Sequence, residues 1–110
     1  MAGSDLFTGS LDLLLLKALS LGPLHGYAIG LWLRERAGGE LPVTEGALYP
    51  ALHRLERQGY LEEEWGLTDT NREAKFYRLT PLGRRQLRSE TLRWQSYVRT
   101  MQAALDTGRA

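Results

Sequence analysis

The sequence has no cysteine and only two histidines, His25 and His53, in 110 residues. The lack of cysteine excludes disulfide bonds and thiolate metal ligands, and two histidines are too few for a histidine-rich metal centre. There is no glycine-rich phosphate loop and no pairing of a nucleophile with a base. The sequence therefore predicts a protein that is not an enzyme and needs no metal or cofactor. We expect His25 to begin or pack a helix.

Long apolar runs are also missing. The most apolar stretch, LDLLLLKALSL at 11–21, is interrupted by Asp12 and Lys17, and it is far shorter than the roughly 20 residues that cross a bilayer. No basic segment of the kind that begins a signal peptide precedes it. We therefore expect a cytoplasmic protein without a membrane partner.

The residues that are present have an ordinary composition, with 43% hydrophobic and 25% charged, which is typical of one compact globular domain. Fourteen basic and 13 acidic residues give a net charge of +1. The distribution is uneven, because six arginines beyond residue 83 face only one glutamate and one aspartate. A locally basic surface is expected there.

Capping residues and helix breakers predict four helices. Ser10 is the expected cap of the first, Thr44 of the third and Thr80 of the fourth, and Pro81 suits the first position of the last helix. Glycines at 22, 38–39 and 59 are expected to end the first three. The predicted helices cover residues 11–21, 24–37, 44–58 and 81–105, with a short extended link at 40–43.

The third helix lies in the segment TEGALYPALHRLERQGY at 44–60 and has two different faces. Advancing about 100° per residue places four apolar side chains on one face, which we expect to join the core: Leu48, Ala51, Leu52 and Leu55. The other face is expected to be exposed and carries Gly46, Tyr49, Pro50, His53 and Arg57, with Arg54 at its edge. Periodicity alone is equally consistent with a merely solvated surface.

A β-hairpin is predicted between the third and fourth helices. Its strands would cover Tyr60–Trp65 and Lys75–Leu79, joined by a long polar tip, GLTDTNREA. Strand alternation points Glu62, Glu63 and Glu64 to opposite faces, which favours a solvated strand over a catalytic or metal cluster. Three helices and a hairpin form the order of a winged helix-turn-helix, a mainly α fold with a small β-hairpin. We assign residues 1–80 to this domain and 81–110 to a C-terminal helix, as one compact unit.

In such a fold the third helix enters the major groove of DNA and the hairpin, or wing, reaches the neighbouring backbone or minor groove. Arginine and lysine side chains can meet phosphates, whereas Tyr49 and His53 can reach phosphates or base edges. The predicted DNA-contacting residues are Thr44, Glu45, Gly46, Tyr49, Pro50, His53, Arg54, Arg57, Arg72 and Lys75.

A heptad-like seam follows the fourth helix, where Leu87, Thr91, Trp94, Val98, Met101 and Leu105 recur at spacings of four and three. We expect it to form a homodimer contact together with Leu11, Leu14 and Leu15 of the apolar first helix. The alternative is that the seam packs on its own domain. Near a two-fold axis, paired Trp94 indoles would leave a cleft suited to a small planar apolar effector. Alternatively, Trp94 packs solidly against the first helix.

Three motifs, HGYAI at 25–29, GALYPALHRLERQGYLEEEW at 46–65 and KFYRLTPLG at 75–83, carry a resemblance to a known family. In these motifs, their order and their spacing, the chain resembles the PadR-like transcriptional regulators over about residues 10–105. Tyr49, Pro50 and His53 match the DNA-facing part of that family's recognition helix, and Arg72 and Lys75 match its wing. A single C-terminal helix resembles the short class of the family.

The resemblance implies a cytoplasmic, homodimeric, ligand-responsive repressor that binds a pseudo-palindromic operator in double-stranded DNA. It also implies that the final helix supplies much of the dimer contact, and an aromatic residue at the position of Trp94 resembles an effector-binding feature of some short-class members. Two alternatives remain from the sequence, namely a winged-helix module that contacts proteins without binding DNA, and a subunit of a DNA-processing assembly.

Overall fold

The computed structural model describes residues 2–37 and 43–108, with side chains from residue 9 onward. Within these residues the elements are α1 (Ala2–Leu19), β1 (Leu24–His25), α2 (Gly26–Ala37), α3 (Glu45–Arg57), β2 (Leu61–Leu67), β3 (Glu73–Leu79) and α4 (Pro81–Leu105). The prediction of a mainly helical winged helix-turn-helix with a small β-hairpin is confirmed. The predicted stop at Gly38-Gly39 and most of the predicted link, residues 40–42, lie outside the described residues.

The start of α1 differs from the prediction. The helix begins at Ala2 and continues through Ser10, so the assignment of Ser10 as the N-cap was wrong. A serine can cap a helix or lie within one, and no proline precedes Ser10 to force the chain out of the helix. After Leu19 the chain turns through Gly22, whose φ of 139° is open to glycine but rarely to other residues.

The core lies between the three N-terminal helices and one face of the sheet. Leu15, Ile29, Leu33 and Leu52 are completely buried, and each such side chain contributes on the order of 1.5–3 kcal/mol when removed from water. The four apolar residues predicted for the inner face of α3 are all buried, which confirms the two-faced helix. The core consists of Leu11, Leu15, Leu16, Leu19, Ile29, Leu33, Leu48, Ala51, Leu52, Leu55, Leu61, Tyr77 and Leu79.

The sheet has three antiparallel strands in the order β1-β3-β2, whereas the sequence predicted only the hairpin. The additional strand has two residues, with Leu24 opposite Tyr77 and His25 opposite Phe76, so the prediction that α2 starts at Leu24 was wrong. Two residues are too short for an alternation pattern, and their pairing is with a distant strand. The Nδ1 atom of His25 accepts a hydrogen bond from the backbone N–H of Ala28 at 3.2 Å, which confirms its role at the helix start.

The hairpin is longer and its tip shorter than predicted. Pairing continues through Gly66 opposite Ala74 and Leu67 opposite Glu73, which leaves residues 68–72 as the tip. There Asn71 has a φ of 65°, a left-handed conformation that asparagine tolerates better than most residues. The Thr68 hydroxyl accepts a hydrogen bond from the backbone N–H of Arg72 at 3.2 Å. These local bonds hold a tight turn that the polar composition did not reveal.

The first turn of α4 is firmly joined to the body of the molecule. The Thr80 hydroxyl accepts from the backbone N–H of Gly83 at 2.9 Å and donates to the carbonyl of Gly59 at 2.6 Å, so the predicted N-cap is confirmed. A Cβ atom at Gly83 would lie 2.1 Å from the carbonyl oxygen of Tyr60, so only glycine fits. From this anchor α4 extends along a molecule that measures 58 × 29 × 25 Å. Among the described residues, none of the helices is long and apolar enough to span a membrane.

Candidate nucleic-acid interface

A groove of about 940 Å³ separates α3 and the start of α2 from the hairpin. Tyr49 and His53 of α3 form one wall, and Arg72 and Lys75 of the hairpin form the other. The structure therefore brings together four of the residues that the sequence predicted for DNA contact. Their prediction as DNA contacts remains a prediction, since the structure contains no DNA.

The position of Tyr49 depends on a glycine in α2. Its phenol ring lies against Gly26, where an added Cβ atom would be 2.4 Å from the Tyr49 oxygen. Any larger residue in place of Gly26 would displace the ring. The ring is thus held in place, while 37% of the Tyr49 surface stays exposed to the groove. The HGYAI and ALYP motifs, which are distant in sequence, are complementary parts of one contact.

The start of α3 faces solvent beside this groove. Thr44, Glu45, Gly46 and Pro50 are all exposed, and the Thr44 hydroxyl accepts a hydrogen bond from the Ala47 N–H at 3.2 Å, which confirms the predicted cap. The remaining N–H groups of a helix start favour negative groups such as phosphate. His53 and Arg57 are exposed further along the same helix.

Arg54, predicted at the edge of the outer face of α3, is half-buried and forms an ion pair with α1. Its guanidinium donates to the carboxylate of Asp12 in α1 at 2.5 Å, and both side chains are partly buried. Burial raises the pKa of Asp12 above its ordinary value, while the charge of Arg54 and its hydrogen bond act in the opposite direction. The ion pair joins α3 to α1, and the assignment of Arg54 to phosphate stays a prediction.

On the inner face of the hairpin, which faces α3, the Lys75 ammonium lies 3.0 Å from the Glu63 carboxylate and 5.9 Å from the centre of the Trp65 ring. A hydrogen bond with Glu56 and another with Lys75 lower the pKa of Glu63. Burial, followed by the contact with Glu63, raises the pKa of Glu56. One predicted DNA-contacting lysine is thus held within a small charged cluster.

The outer face of the hairpin has its own ion pairs. Arg78 contacts Glu62 at 2.9 Å and also contacts Glu64. These contacts raise the pKa of Arg78, and the hydrogen bond that Arg78 donates to Glu62 is the largest cause. The predicted alternation of the three glutamates is confirmed, since Glu63 contacts Lys75 on the opposite face. The ion pairs on the two faces therefore do not share partners.

Several aromatic residues that were not predicted as DNA contacts also line the groove. Tyr27 and Trp65 line it with 70% and 67% of their surfaces exposed, and His25 lies there as well, its ring 5.2 Å from that of Phe76. Trp65 lies two residues after Glu63 in β2 and opposite Lys75 in β3. Knowing this register would have placed the indole on the same face of the hairpin as Glu63 and Lys75. No local pattern indicated Tyr27, because its place in the groove depends on how the start of α2 packs beside the distant hairpin.

A second cleft, of about 640 Å³, lies between α1 and α4. Trp94 and Tyr97 line it, with ring centres 6.0 Å apart, together with Leu13 and Leu14 of α1. Trp94 keeps 44% of its surface exposed, so it is not packed solidly against the first helix in the single chain.

The predicted dimer residues divide into two groups. Leu11 and Leu15 are buried in the chain's own core, so their prediction as dimer contacts is corrected: inward-facing side chains cannot also meet a second copy. Leu14 is only partly buried. Of the α4 seam, Leu87 packs on the core, and the Thr91 hydroxyl donates to the Leu87 carbonyl at 2.7 Å. The remaining seam positions are partly or largely exposed, at Trp94, Val98, Met101 and Leu105.

The three N-terminal helices, the paired hairpin and the long C-terminal helix together define a winged helix-turn-helix protein. The model of the transcriptional regulator PadR-like family matches residues 15–89, and this chain belongs to that family. The resemblance seen in the sequence motifs is thereby confirmed.

Two curated relatives give the family a functional context. A transcriptional regulator of Mycobacterium tuberculosis is 44% identical over 59 residues, which cover 53% of this chain and 54% of that protein. The negative transcriptional regulator PadR of Bacillus subtilis is 29% identical over 87 residues, which cover 79% of this chain and 48% of that protein. The chain thus spans about half the length of each of these two relatives.

Solved structures show the same fold over nearly the whole chain. A PadR family transcriptional regulator from Eggerthella lenta has a TM-score of 0.76 at 32% identity, with 97% of this chain and 91% of that one covered. A transcriptional regulator from Clostridium thermocellum has a TM-score of 0.79 at 28% identity, with 91% and 94% covered. Both similarities include α4 as well as the winged helix.

Proposed function

We propose that this protein is a homodimeric repressor that binds a pseudo-palindromic operator in double-stranded DNA through α3 and the wing. The observation that carries this proposal is the groove in which Tyr49 and His53 lie opposite Arg72 and Lys75. Groups that can read base edges are set beside groups that suit phosphate. The family of transcriptional regulators and the negative regulator among its relatives support the same role, which would place the protein in the cytoplasm.

The exposed seam of α4 supports the homodimer. Trp94, Met101 and Leu105 have 44%, 39% and 74% of their surfaces exposed, and a helix with an unpaired apolar stripe is stabilised when a second copy covers it. In this arrangement residues 1–80 contact DNA and residues 81–110 hold the dimer. The two recognition helices would then address half-sites about one helical turn, or roughly 34 Å, apart.

A mobility-shift titration against the DNA upstream of the protein's own gene tests the proposal. The expected result is a discrete complex that resists competition by random DNA and protects an inverted repeat. The alternative function, a winged-helix module that contacts proteins, is favoured if no DNA is bound better than random sequence at physiological salt. Catalytic conversion of DNA by the protein without an added partner would instead support a DNA-processing subunit.

The cleft between α1 and α4 supports a further element of the proposal, a small planar apolar effector that releases DNA. The ring walls of Trp94 and Tyr97 suit a flat apolar compound, and a ligand that binds best when the two recognition helices have moved apart lowers DNA affinity.

Titrating planar aromatic compounds while following tryptophan fluorescence tests the effector in the parent and in Trp94→Leu. Trp32 and Trp65 also emit, so the informative signal is quenching that is lost in the variant together with ligand-induced release of DNA. An unchanged ligand response in Trp94→Leu contradicts the role of this cleft.

A further inference from the structure

The hairpin has more acidic than basic side chains, which is unexpected for a wing that contacts DNA. Five carboxylates and three basic side chains lie between residues 61 and 79, and a phosphate backbone attracts the opposite balance. Two of the basic side chains, Lys75 and Arg78, have carboxylate partners on opposite faces of the hairpin. Of these two basic side chains, Lys75 lines the groove and Arg78 does not. On the inner face of the hairpin, the carboxylate of Glu63 is therefore paired with the lysine that lines the groove, Lys75.

We propose that Glu63 is a positioning residue that competes with DNA phosphate for Lys75 and so limits the affinity of the wing for DNA of any sequence. This inference rests on the proposed DNA-binding function and adds a regulatory residue to it. Glu63 need not touch DNA, because it acts by occupying the ammonium group that a phosphate would otherwise contact.

The local geometry makes this competition direct. The carboxylate oxygen of Glu63 lies 3.0 Å from the Lys75 ammonium, at the distance and with the charge of a bound phosphate oxygen. The Trp65 ring lies on the same face, 5.9 Å from the ammonium, and holds the cation near Glu63. A lysine is charged at neutral pH with either partner, and its hydrogen bond with Glu63 raises the pKa of Lys75 further.

The ion pair between Lys75 and Glu63 is weak enough for a DNA phosphate to replace Glu63. The Lys75 side chain keeps 40% of its surface exposed, and exposed ion pairs are weak enough to be replaced. Each phosphate contact of a protein changes the slope of log affinity against log salt by about 0.9. Weakening one such contact therefore lowers the affinity for specific and random DNA alike.

The hairpin offers a matched control for the test. Glu63→Gln removes one negative charge and frees Lys75. Glu62→Gln removes the same charge from the adjacent residue but on the outer face, and Arg78 there keeps Glu64 as its partner. Both variants and the parent are titrated with a labelled random-sequence duplex and with the upstream DNA, by fluorescence anisotropy over a range of salt concentrations. Far-ultraviolet circular dichroism checks that each variant is folded.

We expect Glu63→Gln to bind both duplexes about 2- to 5-fold more tightly than Glu62→Gln, with a steeper salt slope. The gain should vanish when Lys75→Gln is added, so that the double variant binds like Lys75→Gln alone. Equal affinities for Glu63→Gln and Glu62→Gln, or a gain that persists without Lys75, overturn the inference. A parent that binds neither duplex refutes the proposed function itself, which the parent titration reveals separately.

Discussion

The groove at α3 and the exposed seam of α4 are built in opposite ways. In the groove, side chains are held by contacts within one chain, as Tyr49 is by Gly26 and Lys75 is by Glu63. Along α4, which the structure describes throughout, the only buried residue is Gly83 in its first turn, and the seam beyond Thr91 is left partly or largely exposed.

This difference indicates which surface is complete in a single chain. The groove needs no second copy to reach its shape, so it should be formed in a monomer. The seam covers its apolar side chains only when another helix packs on it. Substitutions in the groove should therefore change DNA binding without changing assembly, whereas substitutions in the seam should change both.

The largest expected effect comes from Val98→Asp, in the exposed half of the seam. A carboxylate there would have to be buried without a partner if the dimer formed. We expect a monomer whose operator affinity falls about 100-fold or more, because two linked half-site contacts become one. Sedimentation velocity measures the assembly, and anisotropy measures the affinity.

Ala103→Asp is the matched control for this change, since it adds the same charge to the same helix at an exposed position away from the seam. It should remain dimeric. If Val98→Asp also sediments as an intact dimer, the seam is not the dimer contact and the contrast between the two surfaces fails.

A smaller effect is expected from substitutions of Tyr49. Two variants distinguish the role of its ring from that of its hydroxyl group. Tyr49→Ala removes the ring that lies on Gly26. The ratio of the affinity for operator DNA to the affinity for random DNA should therefore fall by about 10- to 100-fold. Tyr49→Phe keeps the ring and removes only the hydroxyl. Parent-like specificity in Tyr49→Phe would assign the effect to the ring, whereas parent-like specificity in Tyr49→Ala would remove Tyr49 from the recognition surface. Both variants should remain dimers.

Arg72→Gln should lower the affinity of the protein for all DNA sequences by a similar and modest factor. Arg72 lies at the exposed tip, and none of the ion pairs among the described residues involves it, in contrast to Lys75. Losing one phosphate contact should reduce the magnitude of the salt slope by about 0.9. Arg99→Gln on α4 removes the same charge far along the chain and should leave the slope unchanged. An unaltered slope in Arg72→Gln contradicts its assignment to DNA.

Much of the fold could be predicted because its signals are local. Thr44 and Thr80 precede their helices with the expected capping bonds, and the 3.6-residue period of α3 selected its four buried residues correctly. The features that were not predicted depended on distant partners. The pairing of Leu24 and His25 with β3 and the ion pair of Arg54 with Asp12 join residues about 40 or more positions apart, and no local pattern encodes them.

The candidate site shows the same division. Periodicity placed Tyr49 and His53 on the outer face of α3, and hairpin order placed Arg72 and Lys75 on the wing. The occupation of Lys75 by Glu63 depends on which hairpin residues face one another, and the strands could be located from sequence but not brought into exact register. Leu11 and Leu15 were misplaced because a helix that is apolar nearly all round gives no clue to which leucines face inward.

The smallest expected effect concerns the two neighbouring carboxyl groups, Glu56 and Glu63. Burial and the contact with Glu63 raise the pKa of Glu56 above 4.5, so its contribution to stability is present below pH 4.5 and is lost as the pH rises through the raised value. Glu63 has the opposite sign: its pKa is lowered, and its contribution is lost as the pH falls through that lower value.

Glu56→Gln should therefore stabilise the protein near neutral pH, because an amide N–H can donate to Glu63 where an ionised carboxylate repels it. Both groups are at the surface, so we expect the Tm to rise by only about 2 °C or less, and the gain should disappear below pH 4.5. Thermal unfolding is measured across this pH range at one fixed protein concentration, since the Tm of a dimer depends on concentration. A Tm difference that is independent of pH would show that the two carboxyl groups do not interact.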